Sequence, residues 1–335
     1  MTAPGPAPQP GGVAVDEGAA RWFAAHTSRW TDWPVERLVT DKERAGLRVS
    51  VVIPARNEEA TVAAVVAGIK RDLVDAQPLV DEVIVIDSLS TDATATKARE
   101  AGADVYSVAD IVPEHGVHPG KGEALWKSLF VARGDIVVFI DADLTAWGTH
   151  FVTGLIGPLV ADPNLKLVKG FYDRVLEMDG GPTTQGGRVT ELVARPLLTL
   201  QWPQLAAVVQ PLAGEWAARR DHMASLSIPV GYGVELASLI DTDARDGLDS
   251  IAQVDLGRRA HRHQSVHDLS LMAAELLAVA SRRWGDTASP PEPGTWIELN
   301  QYRRDEVEHW ARRRVPVGER AAASTVAGFV QEAVR

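Results

Sequence analysis

Three apolar runs in the first half of the chain predict the strands of a parallel sheet. They cover residues 49–53, 82–86 and 136–140, are rich in Val and Ile, and each ends in polar residues. Runs of this kind are typical of strands that are buried on both faces. Helices are predicted at 59–71, 91–101 and 120–131, and a short strand at 103–107. Strands that alternate with helices in this way predict βαβ units and a doubly wound α/β fold.

Asp141 and Asp143 directly follow the run 136–140 and are one residue apart. In open α/β sheets, ligands bind beyond the carboxyl ends of the strands. Two carboxylates at such an end repel each other unless they share a cation or a hydrogen-bond donor. The hard cations Mg²⁺ and Mn²⁺ fit that role, and they usually hold substrate phosphates as well. The alternative is a solvated turn without a ligand, because turns favour Asp.

Polar residues also follow the other predicted strands. Residues 54–59 follow the first strand, Asp87 and Ser88 follow the second, and Lys121 lies between two glycines at a helix start. A lysine in that place can reach a phosphate, although the spacing is not that of a Walker motif. Because the carboxyl ends of parallel strands lie side by side, we expect these groups to converge. The arrangement suits a nucleotide with a diphosphate and one divalent metal.

The second half of the chain predicts a mixed unit. We expect a strand pair over 165–175 around Gly170, then a Gly/Thr-rich loop over 177–187. A helix to about residue 199, a helix from Gly231 onwards, a strand at 251–256 and a helix at 268–283 follow. Residues 295–335 are expected to hold further helices, with an amphipathic one at 321–334. The domain boundaries predicted from these patterns are a disordered tail at 1–18, a nucleotide-sugar-binding half at 19–164 and an acceptor-binding half at 165–335.

Some polar groups have an ordinary structural explanation as well as a functional one. His115 and His118 are three residues apart, but they lie in a Pro/Gly-rich segment, where a mobile loop near the site is a better explanation than a metal site. Glu235 is a candidate carboxylate near a transferred sugar, yet it also fits simple complementarity with a helix dipole. The sequence from Gly187 to Thr190 could bind a phosphate or cap a helix.

Composition and charge narrow the functional class. The chain has 335 residues and a net charge of −11, which argues against a general nucleic-acid binder. It has no cysteine, so disulfides and thiolate metal sites are excluded. No apolar run approaches the ~20 residues of a membrane span. Residues 1–12 lack the basic and apolar regions of a secretory signal. We therefore expect a cytoplasmic protein.

Several sequence blocks resemble known glycosyltransferases. The blocks V-S-V-V-I-P-A-R-N-E-E, V-I-V-I-D-S-L-S-T-D-A-T and F-I-D-A-D resemble the GT-A fold. The blocks G-K-G-E-A-L-W, G-G-R-V-T-E-L-V-A-R-P-L-L, Q-P-L-A-G-E, V-G-Y-G-V-E and H-R-H-Q resemble the glucosyl-3-phosphoglycerate synthases and their mannosyl-3-phosphoglycerate relatives. The resemblance covers about residues 20–330. The family often has Asp-Ser-Asp where this chain has Ala142 between the two aspartates.

This resemblance implies a fold and roles for individual residues. It implies a GT-A fold, with a mostly parallel sheet flanked by helices, and a Mg²⁺ or Mn²⁺ ion. The implied metal ligands are Asp143 and His261. The implied acceptor-binding residues are Gly187, Arg188, Val189, Thr190 and His263. The implied nucleotide-sugar-binding residues are Pro54, Ala55, Glu58, Asp87, Ser88, Lys121, Asp141, Ala142, Tyr232, Glu235 and Arg259. The implied catalytic residues are Lys121, Asp143, Arg188 and Glu235.

The leading hypothesis is therefore a metal-dependent, retaining transfer of glucose from UDP-glucose, or another nucleoside-diphosphate glucose, to D-3-phosphoglycerate. This would be the first step of glucosylglycerate and methylglucose lipopolysaccharide synthesis. Three alternatives remain: a mannosyl-3-phosphoglycerate synthase that uses GDP-mannose, a nucleotidyltransferase, and a non-catalytic nucleotide-sugar sensor. A nucleotidyltransferase would have a Gly-rich loop after the first strand, and this sequence has no such loop there. The expected partners are small-molecule substrates and a second copy of the chain in a homodimer. Same-face attack and double displacement both remain open.

Overall fold

The computed structural model describes residues 17–176, 183–184, 187–260, 266–285, 291–304 and 308–330. Its strands, in chain order, are β1 (Thr27–Arg29), β2 (Val49–Ala55), β3 (Glu82–Asp87), β4 (Asp104–Ser107), β5 (Ile136–Phe139), β6 (Leu167–Leu176), β7 (Thr183–Thr184), β8 (Trp216–Arg219), β9 (Ile228–Pro229), β10 (Ile251–Ala260), β11 (Trp296–Arg304), β12 (Glu308–Pro316) and β13 (Glu319–Arg320).

Helices connect most of these strands. They are α1 (Glu17–His26), α2 (Val35–Ala45), α3 (Val62–Ile69), α4 (Thr94–Glu100), α5 (Lys121–Val131), α6 (His150–Ala161), α7 (Arg195–Gln201), α8 (Arg220–Ala224), α9 (Val234–Asp246) and α10 (Val266–Arg283). A wider, π-helical segment continues α3 over Lys70–Ala76, and another leads into α7 over Thr190–Ala194. The part of the predicted tail that precedes α1 lies outside the described residues.

One large sheet has the order β1-β10-β6-β8-β5-β2-β3-β4, and β7 adds to β6. The seven strands other than β7 and β8 run in the same direction. Strand β8 is antiparallel to both of its neighbours, β5 and β6. The carboxyl ends of the seven parallel strands therefore lie along one edge of the sheet, together with the amino-terminal end of β8. The doubly wound α/β fold predicted from the sequence is confirmed.

Alternation along the strands builds a hydrophobic core on each face of the sheet. Val51 and Val138 contribute to one core, which is closed by α2, α3 and α6. Val52 and Val137 contribute to the other, which is closed by α5, α9 and α10. Adjacent residues of a strand point to opposite faces, so a run that is apolar throughout requires cover on both sides. This burial makes the sheet a rigid support for the residues at its edge.

Two predictions for the second half are wrong. Residues 167–176 form a single strand instead of a strand pair, because β6 is paired along its length with β10. Residues 296–304 and 308–316 form two antiparallel strands, β11 and β12, instead of helices. Cross-strand contacts support this pairing: the Arg314 guanidinium lies 4.0 Å from the centre of the Trp296 ring, and Arg312 pairs with Glu298 at 3.3 Å.

The predicted amphipathic helix at 321–334 is also not formed over its described part. Residues 321–330 contain only the short 3₁₀ turn Ala323–Thr325, and the last residues of the chain lie outside the described ones. Within the ranges that the structure describes, no helix combines the length and the apolar character that crossing a membrane requires.

Candidate active site

The ends of β2, β3 and β5 bring the predicted strand-end residues to one edge of the sheet. Ala55 and Asp87 are register partners at the ends of β2 and β3, and the Ser88 N–H donates to Ala55 O at 2.8 Å. The turns that follow are bound to each other, because the Asn57 N–H donates to Ser90 Oγ at 2.9 Å and the Glu58 N–H donates to Thr94 Oγ1 at 2.8 Å. Pro54, next to Ala55 in β2, is half-buried at the same edge.

Asp87 provides an acceptor inside this group of turns. The side chain is buried, and its Oδ1 atom has no hydrogen-bond partner within the described part of the chain. Buried polar atoms are normally satisfied, so this oxygen is available to accept a hydrogen bond from a ligand or from water. An N–H group of a ligand would complete it.

Lys121 is placed by close packing at the start of α5. The Gly122 N–H donates to Gly231 O at 3.2 Å, and the Glu123 N–H donates to Val230 O at 2.9 Å. A Cβ atom at Gly122, or at Gly120 before it, would overlap backbone atoms of residues 229–231. The two glycines of the G-K-G block are therefore needed for α5 to dock on this turn, and the docking aims Lys121 at the sheet edge.

The Lys121 ammonium lies between two carboxylates. Its Nζ atom is 2.6 Å from Asp141 Oδ1 and 2.9 Å from Glu235 Oε1. Burial alone would lower the pKa of Lys121, but the two negative charges outweigh it and raise that pKa above its ordinary value. Burial likewise opposes the charge of Asp141, yet Lys121 and Arg259 hold the pKa of that carboxyl below its usual range. Lys121 and Asp141 therefore both remain charged at neutral pH.

Arg259, at the end of β10, bridges the two aspartates of the Asp-Ala-Asp block. One guanidinium nitrogen lies 3.3 Å from Asp141 Oδ2 and 3.2 Å from Asp143 Oδ1. The other lies 2.8 Å from Glu215 Oε1 and donates to the Tyr172 hydroxyl at 2.7 Å. The shared cation that the sequence required between the two carboxylates is, in this structure, an arginine. Ala142 between them is buried.

Asp143 fits a divalent metal. Its side chain is 35% exposed, against 24% for Asp141, and the contact with Arg259 uses only the Oδ1 atom. A solvent-facing carboxylate oxygen at the carboxyl edge of the sheet is a suitable ligand for Mg²⁺ or Mn²⁺. In the described ranges no group of three acidic or histidine side chains could hold a metal ion. His261, the other predicted ligand, and His263 lie outside the described residues.

The predicted acceptor segment lies at the start of the helix that leads into α7. Val189 and Thr190 are buried, Gly187 is half-buried, and Arg188 is exposed to solvent. The π-helical segment that follows, Thr190–Ala194, packs against α10. Helix α10 also contacts the turn before α9, where Glu275 accepts a 2.6 Å hydrogen bond from the N–H of Tyr232. One helix therefore supports both the predicted acceptor segment and the turn that leads into α9, the helix of Glu235.

Four residues of this region were missed by the sequence prediction: Tyr172, Lys169, Glu215 and Glu275. Tyr172 and Glu215 hold Arg259, Lys169 is a fully buried lysine in β6, and Glu275 is a buried carboxylate on α10. Burial raises the pKa of Glu275 to about 7, with a further contribution from the charge of Glu235. The available signals were the charge of Lys169 inside an apolar strand and the position of Glu215 at the end of the Q-P-L-A-G-E block.

Comparison with known proteins gives a consistent result. Residues 50–174 match the family Glycosyl transferase family 2. The glucosyl-3-phosphoglycerate synthase of Petrotoga mobilis is 46% identical over 250 residues, which are 74% of this chain and 77% of that protein. The crystal structure of the Mycobacterium tuberculosis glucosyl-3-phosphoglycerate synthase with Mn²⁺, uridine diphosphate and phosphoglyceric acid is similar with a TM-score of 0.77 at 43% identity, over 87% of this chain and 95% of that one. The mannosyl-3-phosphoglycerate synthase from Rubrobacter xylanophilus gives a TM-score of 0.82 at 37% identity, over 92% and 99% of the two chains.

Proposed function

The chain belongs to the glucosyl-3-phosphoglycerate synthases, and from this premise we propose that it transfers glucose from UDP-glucose to D-3-phosphoglycerate. The products are glucosyl-3-phosphoglycerate and UDP, and the configuration at the anomeric carbon is retained. The bond between this carbon and the UDP oxygen breaks, and a bond to the acceptor hydroxyl oxygen forms.

The observation that carries this proposal is the position of Lys121 between Asp141 and Glu235 at the carboxyl edge of the sheet. A fixed cation at a helix start suits an anionic diphosphate. The carboxylates beside it suit the hydroxyl groups of a sugar, because carboxylate oxygens are strong acceptors. A nucleoside-diphosphate sugar has both a diphosphate and sugar hydroxyl groups. Its diphosphate would bind Lys121, which also contacts Asp141 and Glu235.

The turns after β2 and β3 hold the nucleoside in this proposal. The unpaired Oδ1 atom of Asp87 would accept a hydrogen bond from an N–H of uracil. Glu58 and the Ser88 hydroxyl would contact the base or the ribose, since both are at the same edge. The remaining members of this nucleotide-sugar site are Pro54, Ala55, Asp141, Ala142, Tyr232 and Arg259.

Asp143, together with His261, would hold Mg²⁺ or Mn²⁺. When bound, the ion stabilises the negative charge that develops on the leaving UDP. Arg259 already contacts Asp143 and orients its carboxylate. Lys121 contributes a second positive charge. It contacts Asp141 at Oδ1, whereas Arg259 contacts Oδ2, and it would stabilise the charge of the diphosphate without transferring a proton.

For the acceptor we propose Gly187, Arg188, Val189, Thr190 and His263. The exposed Arg188 guanidinium would bind the phosphate or the carboxylate of 3-phosphoglycerate bidentately. Two buried carboxylates of the site are engaged with cations, Glu235 with Lys121 and Glu215 with Arg259. We therefore favour same-face attack over double displacement, with a phosphate oxygen of UDP taking the acceptor proton.

A donor and acceptor matrix tests this function. UDP-glucose, GDP-glucose, UDP-mannose and GDP-mannose are each supplied with 3-phosphoglycerate, and glycerate without the phosphate serves as the control acceptor. We expect the highest kcat/KM with UDP-glucose and little product with glycerate. A preference for GDP-mannose would make the chain a mannosyl transferase. Binding of UDP-glucose without transfer would favour the sensor, and pyrophosphate-dependent UTP formation would favour the nucleotidyltransferase.

The proposal includes a homodimer that works in the cytoplasm. The apolar side chains of Leu277, Trp284 and Trp296 are exposed on α10 and the region after it, and two-fold dimers are the commonest assembly. Light scattering at micromolar concentration should give twice the 36.1 kDa mass of one chain. The monomer mass would contradict the dimer without affecting the proposed reaction.

A further inference from the structure

Lys169 is a buried cation at the edge of the reaction site with no assigned role. It lies in β6 and is 1% exposed. Its ammonium donates to Ala213 O at 2.8 Å, and its Nζ atom lies 5.3 Å from the centre of the Trp216 ring. In the described part of the chain it forms no ion pair. An ammonium buried without a carboxylate partner is costly, and a methionine would fill the same space without that cost.

The hydrogen bond of Lys169 is made to the turn that precedes β8. The next residue, Gly170, donates its N–H to Glu215 O at 3.0 Å, so two adjacent residues of β6 hold both ends of the turn Ala213-Gly214-Glu215. Gly214, in the middle, lies against the carboxylate of Asp141, where a Cβ atom would overlap Oδ2. The turn therefore forms a wall behind Asp141, and Lys169 anchors that wall from inside the sheet.

We propose that Lys169 is a positioning residue for glucosyl transfer: its ammonium fixes the turn 213–215 against Asp141 and so keeps the carboxylates of the site in register with Lys121. This inference rests on the proposed function. The protonated form is the effective one, because a hydrogen bond from a charged donor is about twice as strong as one from a neutral amine.

The surroundings of Lys169 make this anchor sensitive to pH. Burial lowers the pKa of its ammonium to about 7, and the positive charge of Lys121 acts in the same direction. Three carboxylates act in the opposite direction and raise this pKa. They are Glu235 on α9, Glu215 in the turn before β8 and Asp141 after the end of β5. Loss of the proton as pH rises through about 7 should loosen the turn.

The test compares Lys169→Met with Lys42→Met. Lys42 is also buried and bonds to a carbonyl oxygen, Pro78 O, but it pairs with Asp81 at the opposite edge of the sheet. For Lys169→Met we expect a kcat lower by roughly 10- to 100-fold, with the KM for UDP-glucose changed less than about threefold, because the loss is one of alignment. Its Tm should equal or exceed that of the wild type. Lys42→Met should show the reverse, a lower Tm and a wild-type kcat.

The pH profile gives a readout that a purely structural lysine would not affect. The kcat of the wild type should fall as pH rises through about 7, and Lys169→Met should lack this step. A variant with wild-type kcat, or with the same pH step as the wild type, would overturn the proposal. If Lys169→Met does not fold, Lys169→Gln is measured in its place, and a wild-type kcat that stays level from pH 6 to 8.5 overturns the proposal on its own. If the wild type transfers no sugar to 3-phosphoglycerate from any of the four donors, the proposed function fails, and this inference with it.

Discussion

Gly214 and Asp141 are in direct contact across the site, so closely that a Cβ atom at Gly214 would overlap Asp141 Oδ2. The glycine lies in the middle of the turn that precedes β8, and the aspartate follows β5, to which β8 is antiparallel. In this position the Asp141 carboxylate meets both Lys121 and Arg259. The absence of a side chain at Gly214 is therefore a geometric requirement of the site.

Gly214→Ala should disturb both stability and catalysis. Overpacking at a buried contact costs about 1–3 kcal/mol, and the simplest relief is a displacement of the Asp141 carboxylate. We expect a lower Tm and a kcat/KM for UDP-glucose reduced by about tenfold or more. Gly68→Ala is the control, because its Cβ would meet only Trp147 at an ordinary 3.7 Å within helix α3. Wild-type kinetics in Gly214→Ala would show that Asp141 tolerates the shift.

Asp143→Ala should remove most of the transfer activity and leave the fold intact. The substitution removes an oxygen ligand of the proposed ion, and losses of about two orders of magnitude or more in kcat are usual for such electrostatic groups. Arg259 would keep its contacts with Asp141 and Glu215. The measurement is kcat against Mg²⁺ and Mn²⁺ concentration, with thermal melting to check the fold. Full activity of the wild type in excess chelator would exclude a metal-dependent mechanism.

Arg188→Lys should weaken the binding of the acceptor, 3-phosphoglycerate, and leave the binding of the UDP-sugar donor unchanged. A lysine cannot form the two parallel hydrogen bonds that a guanidinium gives to an oxyanion, so about 1.5–3 kcal/mol should be lost. We expect the KM for 3-phosphoglycerate to rise about 10- to 150-fold, while calorimetry gives an unchanged affinity for UDP.

The matched control for Arg188→Lys is Arg195→Lys on the same helix. Arg195 bonds to Glu191 and to Val209 O, away from the proposed ligand. The Arg195→Lys variant should leave the KM for 3-phosphoglycerate and the affinity for UDP unchanged. Weaker UDP binding by Arg188→Lys, with an unchanged acceptor KM, would assign Arg188 to the nucleotide half of the site.

Glu275→Gln should change how stability depends on pH. Burial raises the pKa of Glu275 from its ordinary 4.5 to about 7 in the folded protein. Between these two values the folded state binds a proton that the unfolded state has lost, so the wild type loses stability as pH rises through this window, by about 3 kcal/mol in all. Glutamine can still accept the N–H of Tyr232, and it does not ionise.

The stability difference between Glu275→Gln and the wild type should therefore grow in favour of the variant from pH 5 to pH 8. Denaturant unfolding at several pH values measures it. Glu36, which is exposed on α2, gives the control variant Glu36→Gln, whose difference from the wild type should not vary in this window. A constant difference for Glu275→Gln would mean that this carboxyl titrates at an ordinary pH.

The sequence by itself determined the parallel half of the sheet and the residues at its edge. Runs of β-branched residues specify strands buried on both faces, and the polar residues that end them fall at one edge because parallel strands share a direction. The sequence thus placed Asp87, Lys121, Asp141 and Asp143 on the correct elements. Each of these placements depends on a pattern within a dozen neighbouring residues.

Only the tertiary structure decided which charges meet. Arg259 reaches Asp141 and Asp143 because β10 lies beside β6 in the sheet, and Lys169 reaches Ala213 because β8 is antiparallel to β6. The pairing of β11 with β12 in place of helices is a decision of the same kind. Strand order and cross-strand pairing are set by the simultaneous packing of residues that are far apart in the chain. A local hydrophobic pattern contains no information about which distant strand pairs with it.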